Sequence, residues 1–220
     1  RIADPEQKAK IIEGMQKMRE RRGSDDYSYA VIAQYRADES LNGLTIPEAA
    51  KKVRGSSSLE DQIELILGIE AKGGGSGVYH SMNEKDLQTY LQHPNTMIAS
   101  DGSPRQFGLD LPHPRSYGNS ARAIARYVNE LNVLKLEEAI RKMTSLPAKT
   151  FRLKNRGVIR PGAFADLVIF DPEAVKDAAT FKKPHQFAKG FGDVIVNGEV
   201  VIHGGELTDV RSGGPLPAAP

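Results

Sequence analysis

Thr96-Met97-Ile98-Ala99-Ser100-Asp101-Gly102 runs three uncharged residues, Met97 to Ala99, straight into Ser-Asp-Gly. A short apolar run closed by a turn residue reads as a buried strand whose last side chain points out of the sheet end. In an α/β barrel the catalytic groups sit there, at the C-terminal ends of the strands. The following loop offers Ser103, Arg105, His113, Arg115 and Tyr117, threaded with Pro104, Pro112 and Pro114. Prolines stiffen a loop at the cost of backbone donors, which suits one that must hold side chains in place. The plainer reading is that Asp101 opens a type I turn before Gly102. The Arg/His/Tyr loop attached to it favours a site.

Working outward, Leu111-Pro112-His113-Pro114-Arg115 with Tyr117-Gly118 follows Ser100-Asp101-Gly102. Further on come Lys142-Met143-Thr144-Ser145-Leu146-Pro147-Ala148, Gly157-Val158-Ile159-Arg160-Pro161-Gly162, Ala165-Asp166-Leu167-Val168 and Val196-Asn197-Gly198. This set, spread over nearly all of the chain, resembles the N-acyl-D-amino-acid deacylases (D-aminoacylases) of the amidohydrolase superfamily. The resemblance implies an α/β fold. The chain would be the C-terminal part of a metal-dependent (β/α)8 barrel with a small insertion, followed by strands of a small β-sandwich. It also implies zinc in the complete enzyme, with a Cys and His residues on earlier barrel strands, upstream of Arg1, as the ligands.

The resemblance implies roles for four residues. Asp101 would take a proton from activated water and pass it to the departing nitrogen, and it is a weaker candidate for contact with a second metal. Arg115 would hold the α-carboxylate of an N-acyl amino acid, since a guanidinium fork matches a carboxylate with two parallel hydrogen bonds. His113 and Tyr117 would shape or line the pocket, a structural role being as good a reading for each. Arg105 lies in a part of the loop that is a poorer match and is not chosen. Two other readings stand beside this one. The parent could be another amidohydrolase, acting on cyclic amides, or the chain could be a non-catalytic or assembly segment.

The totals exclude several classes. Among 220 residues, 30 Lys and Arg against 28 Asp and Glu leave a net charge of +2, so no strong field points to nucleic acid or a membrane surface. With no cysteine there are neither disulfides nor thiolate metal sites. No apolar run approaches the ~18 residues a bilayer span needs. The opening Arg-Ile-Ala-Asp-Pro is neither an initiator Met nor a signal peptide and reads as the middle of a longer chain. Localisation stays open, with the cytoplasm favoured.

Taken in order, residues 1–77 read as a small α/β insertion region. Asp4-Pro5 opens a helix with Ile11, Ile12, Met15 and Met18 as its stripe and Gly23 at its end. Its basic run Lys17, Arg19, Arg21 and Arg22 reads as a solvated face. A strand over 27–35, a helix from Ile46 to Arg54 and a helix capped by Ser58 follow. Lys72-Gly73-Gly74-Gly75-Ser76-Gly77 lacks the Gly-Lys-Ser/Thr ending of a phosphate loop and reads as a turn.

Residues 78–154 read as the last strand-helix units of the barrel with the site loop. Val78 to Met82 as a strand, a helix capped by Asn83 and the run to Met97 make a βαβ unit with parallel strands, although the first strand could instead close the insertion. Helices follow over 120–131 and 136–143, with a short turn from Leu146. His80 and His93 read as structural and exposed. Residues 155–210 read as a β-layer with strands over 157–162, 166–171 and 193–203, and Asn197-Gly198 is a strong hairpin signal. Residues 211–220 read as a disordered tail. Without partner strands this layer is expected to self-associate or open in part, and the chain alone to be inert.

Overall fold

The computed structural model describes residues 1–216. They fall into two units, Arg1–Ser81 with Gly108–Pro112, and Met82–Phe107 with the described residues from His113 onward.

In the first unit, helix α1 (Pro5–Arg21) begins where Asp4 Oδ1 accepts the N–H groups of Glu6 and Gln7, at 2.9 and 3.1 Å. Ile11, Ile12 and Met15 pack on the core, whereas Met18 points to solvent. After strand β1 (Ala30–Gln34) and a 3₁₀ turn (Glu39–Leu41), helix α2 (Ile46–Arg54) opens with a capping box between Thr45 and Glu48. Helix α3 (Leu59–Ala71) is capped by Ser58. Strand β2 (Ser76–Tyr79) pairs antiparallel with β1, Ala30 opposite Tyr79 and Val31 opposite Val78. The core joins Tyr27, Ile32, Leu41, Ile46, Ile63 and Leu67.

The expected parallel βαβ unit from Val78 is thereby corrected. Its first strand closes the small unit, because β2 shows only Val78 half-buried, while a parallel strand covered on both faces needs a near-continuous apolar run.

In the second unit, helix α4 (Glu84–Gln92) is capped by the Asn83 side chain. The expected strand over Met97–Ala99 makes no ladder; instead Ile98 N–H donates to the Lys142 carbonyl at 3.1 Å. A strand exists only with a neighbour to exchange backbone hydrogen bonds, and among the described residues a lysine and a helix end take that place. Helix α5 (Arg115–Ile124) starts five residues before the expected Ser120, and runs into a π-helical turn (Ala125–Glu130). Pro114 at its entrance suits a helix start, where a missing N–H costs nothing. Helices α6 (Leu136–Met143) and α7 (Ser145–Thr150) follow. Residues 157–162, expected as a strand, form only turns and irregular chain.

Four strands then make an antiparallel sheet in sequence order: β3 (Leu167–Phe170), β4 (Phe191–Val196), β5 (Glu199–His203) and β6 (Glu206–Leu207). Asn197 and Gly198 both take positive φ, 52° and 88°, the pair a type I′ hairpin needs. Asp166 Oδ1 accepts the Asn197 N–H at 2.9 Å, and Arg156 reaches both Asp166 and Asn197. Two of the signature motifs, Ala165-Asp166-Leu167-Val168 and Val196-Asn197-Gly198, are therefore one structural lattice. Ala121 and Ile124 of α5 pack with Val175, Phe170 and Phe191 of this layer. Of the expected disordered tail, Ser212 Oγ donates to the Val196 carbonyl at 2.8 Å, and residues 217–220 lie outside the described residues.

Candidate functional site

Asp101 and Arg115 meet. The carboxylate Oδ2 and guanidinium Nη2 are 2.9 Å apart, with the side chains 86% and 41% exposed. Asp101 has φ of +46°, a left-handed conformation that Asp tolerates better than most residues but that is uncommon outside glycine. Such backbone tends to cluster at functional sites. Gly102 makes this turn fit: a β-carbon there would lie 3.1 Å from Ser116 Cα. The Asp101 turn is thus seated on the first turn of α5, where Arg115 is the opening residue.

His113 builds that helix start. Its Nδ1 accepts the Arg115 N–H at 3.1 Å and its carbonyl accepts the Ser116 N–H at 3.1 Å. Two of the orphan donors at a helix N-terminus are satisfied in this way. An accepting Nδ1 assigns the ring proton to Nε2 in the neutral imidazole. The His113 ring also meets Phe181 edge-on at 5.0 Å.

Tyr117 turns elsewhere. Its hydroxyl is 2.8 Å from His185 Nδ1, and its ring joins Phe107 and Phe187. Residues two apart on a helix do not share a face, so Arg115 and Tyr117 leave α5 in different directions.

One segment, residues 177–187, backs this helix throughout. Besides Phe181, His185 and Phe187, it brings in Asp177, whose carboxylate lies 3.6 Å from Arg122. The approach to the helix is so close that a β-carbon on Gly118 would sit 1.9 Å from Asp177 Oδ1. Burial pushes the Asp177 carboxyl up, with Arg122 and the Ala179 N–H only partly offsetting it. These supports lie 55 to 68 positions from their partners in sequence, and no local pattern announces them.

The resemblance places the zinc ligands upstream of Arg1 and leaves Asp101 as a weak candidate. Among the described residues no three His, Cys, Asp or Glu converge on a point that could hold a metal ion. Asp101 faces a cation, and His113 Nδ1 is occupied by a backbone N–H. This donor set does not by itself fit zinc. Among the same residues no helix is long and apolar enough to cross a membrane.

A family model described as "Amidohydrolase family" matches residues 34–202. A D-aminoacylase of Alcaligenes xylosoxydans xylosoxydans is 38% identical over 173 residues, covering 79% of this chain and 34% of that protein. An N-acyl-D-aspartate deacylase of the same organism is 40% identical over 174 residues, 77% of this chain and 34% of that one. Among solved structures, N-acyl-D-glutamate deacylase from Bordetella bronchiseptica, complexed with zinc and a phosphonate mimic of the tetrahedral intermediate, superposes with a TM-score of 0.70 at 31% identity. It covers 85% of this chain and 38% of that one. The chain therefore spans about a third of the length of the curated relatives it matches.

Proposed function

We propose, from the premise that this chain belongs to the amidohydrolase family and within it is similar to the D-aminoacylases, that it is the portion of a zinc-dependent deacylase that grips the substrate's carboxylate and moves the proton. The substrate class is N-acyl-D-amino acids. The architecture we assign is the closing part of a (β/α)8 barrel followed by one layer of a β-sandwich. Ligands for the metal would come from outside residues 1–220, and when bound it would activate the water and polarise the acyl carbonyl.

The observation that carries this reading is the 2.9 Å contact between Arg115 and Asp101. An ion pair this exposed contributes only about 0–1 kcal/mol, so a substrate α-carboxylate can exchange for Asp101 on the guanidinium at little cost. The incoming carboxylate gains two parallel charged hydrogen bonds. Asp101, released, is then free to accept a proton. Water adds to the acyl carbon, the C–N bond breaks, and Asp101 delivers the water's proton to the leaving nitrogen. The products are a carboxylate and a D-amino acid. His113 holds the first turn of α5 so that Arg115 stays in place.

The test is an assay of the full-length protein containing this chain on N-acyl-D-amino acids, their L-enantiomers and cyclic amides. Turnover of the D-substrates in preference to the others is expected. Hydrolysis of cyclic amides alone would replace this reading with the second one.

A further inference from the structure

We propose that Lys142 is a positioning residue for Asp101, its buried ammonium fixing residues 93–96 at the start of the segment that leads into the Asp101 turn. The idea rests on Asp101 being the proton carrier argued above. Lys142 is fully buried, at 0% exposure, and is the only charged residue among the described ones to be so. An ammonium has three hydrogens and loses much hydration on burial, so it is tolerated only where each hydrogen finds an acceptor. Here Nζ donates to the His93 carbonyl at 2.5 Å and to the Thr96 carbonyl at 3.1 Å, and lies 3.5 Å from Glu138 Oε1.

The grip is not limited to the side chain. The Lys142 carbonyl accepts the Ile98 N–H at 3.1 Å, and its neighbour Arg141 donates to the Pro94 carbonyl at 2.6 Å. The end of α6 therefore holds His93, Pro94, Thr96 and Ile98, all within eight residues of Asp101. Beyond Asp101 the chain is pinned again by Gly102 against Ser116. The carboxylate is suspended between these two anchors with its backbone in an uncommon conformation. Loosening the Lys142 anchor frees the entering arm without touching Arg115. A methionine of similar length would keep the packing but leave the His93 and Thr96 carbonyls without this donor and remove the cation beside Glu138.

The experiment compares Lys142→Met and Lys142→Arg with the parent in the full-length enzyme. Hydrogen exchange of the peptide covering residues 96–102 is measured beside kcat and KM. For Lys142→Met, exchange in that peptide should rise at least tenfold while peptides of the β3–β6 sheet are unchanged. Its kcat should fall at least tenfold with KM within about twofold. Lys142→Arg, which keeps the cation, should recover most of kcat. If Lys142→Met does not fold, Lys142→Gln, with two N–H donors, should show the same local exchange and kcat loss in reduced form. Unchanged kcat in the folded variant, or exchange that rises everywhere alike, overturns the proposal. A local rise in exchange in Lys142→Met, when the parent hydrolyses no N-acyl amino acid, would uphold the anchor and discard the deacylase reading.

Discussion

Arg115 and Asp101 face each other across 2.9 Å although fourteen positions separate them. The contact joins the first residue of α5 to a turn in the left-handed region of backbone space. It is too exposed to stabilise the fold by more than about 1 kcal/mol. That weakness leaves each side chain able to take another partner, so the two can be tested separately.

Asp101→Ala in the full-length enzyme should leave the fold intact and cut turnover by about 10²–10⁴, the usual worth of a placed acid or base. Steady-state kinetics with circular dichroism check it. Near-parental turnover would remove Asp101 from the mechanism.

Arg115→Ala should lower kcat/KM for an N-acyl-D-amino acid by about 10- to 150-fold, corresponding to loss of one charged hydrogen-bond partner worth roughly 1.5–3 kcal/mol. The deficit should nearly vanish for the matching α-carboxamide. An equal deficit on both substrates means Arg115 does not read the carboxylate.

Residues 1–220, purified alone, should hold no stoichiometric zinc by elemental analysis and should not turn over N-acyl-D-amino acids with zinc added. The described residues gather no ligand trio, and zinc sites take three or four protein ligands. Tight one-to-one zinc with turnover would show a complete site within this chain.

Gly118→Ala should destabilise the protein by about 1–3 kcal/mol, the usual cost of overpacking, since the new carbon would lie 1.9 Å from Asp177 Oδ1. Adding Asp177→Ala should restore much of the loss in thermal unfolding. A Gly118→Ala protein as stable as the parent would show that the 177–187 segment moves aside freely.

Glu138 ties the Lys142 anchor to pH. Hydrogen bonding from Arg141, and then the charges of Arg141 and Lys142, hold its carboxyl down at about 2 against an ordinary 4.5. A carboxyl depressed on folding contributes stability that is present above its unfolded pKa and is lost as pH falls through the folded one. The melting temperature should therefore drop between pH 4.5 and about 2, and Glu138→Gln should flatten that part of the profile. A variant with the parental slope would assign the acid sensitivity to other carboxylates.

Local chemistry was legible without the structure. Asp4, Ser58 and Asn83 cap helices where their side chains can reach the first free N–H groups, and Asn197-Gly198 turns a hairpin because both residues accept positive φ. Asp101 and Arg115 stood out by residue type and spacing, as did the family through its motifs. Contacts between distant segments were not legible. Whether Met97–Ala99 ladders depends on what lies beside it, and Val78 pairs with Val31 of β1, a partner distant in sequence. Arg115 and Tyr117 read as loop residues because Pro114 masks a helix that His113 caps from outside. Lys142, His185 and Asp177 gave no periodic signal, since a side chain that works by meeting a carbonyl, a hydroxyl or a glycine ~45–70 positions away needs nothing from its own neighbours. Sequence alone determined the capped helices, the hairpin, the family and the two charged groups of the candidate site; only tertiary packing decided that those groups touch, and what holds them there.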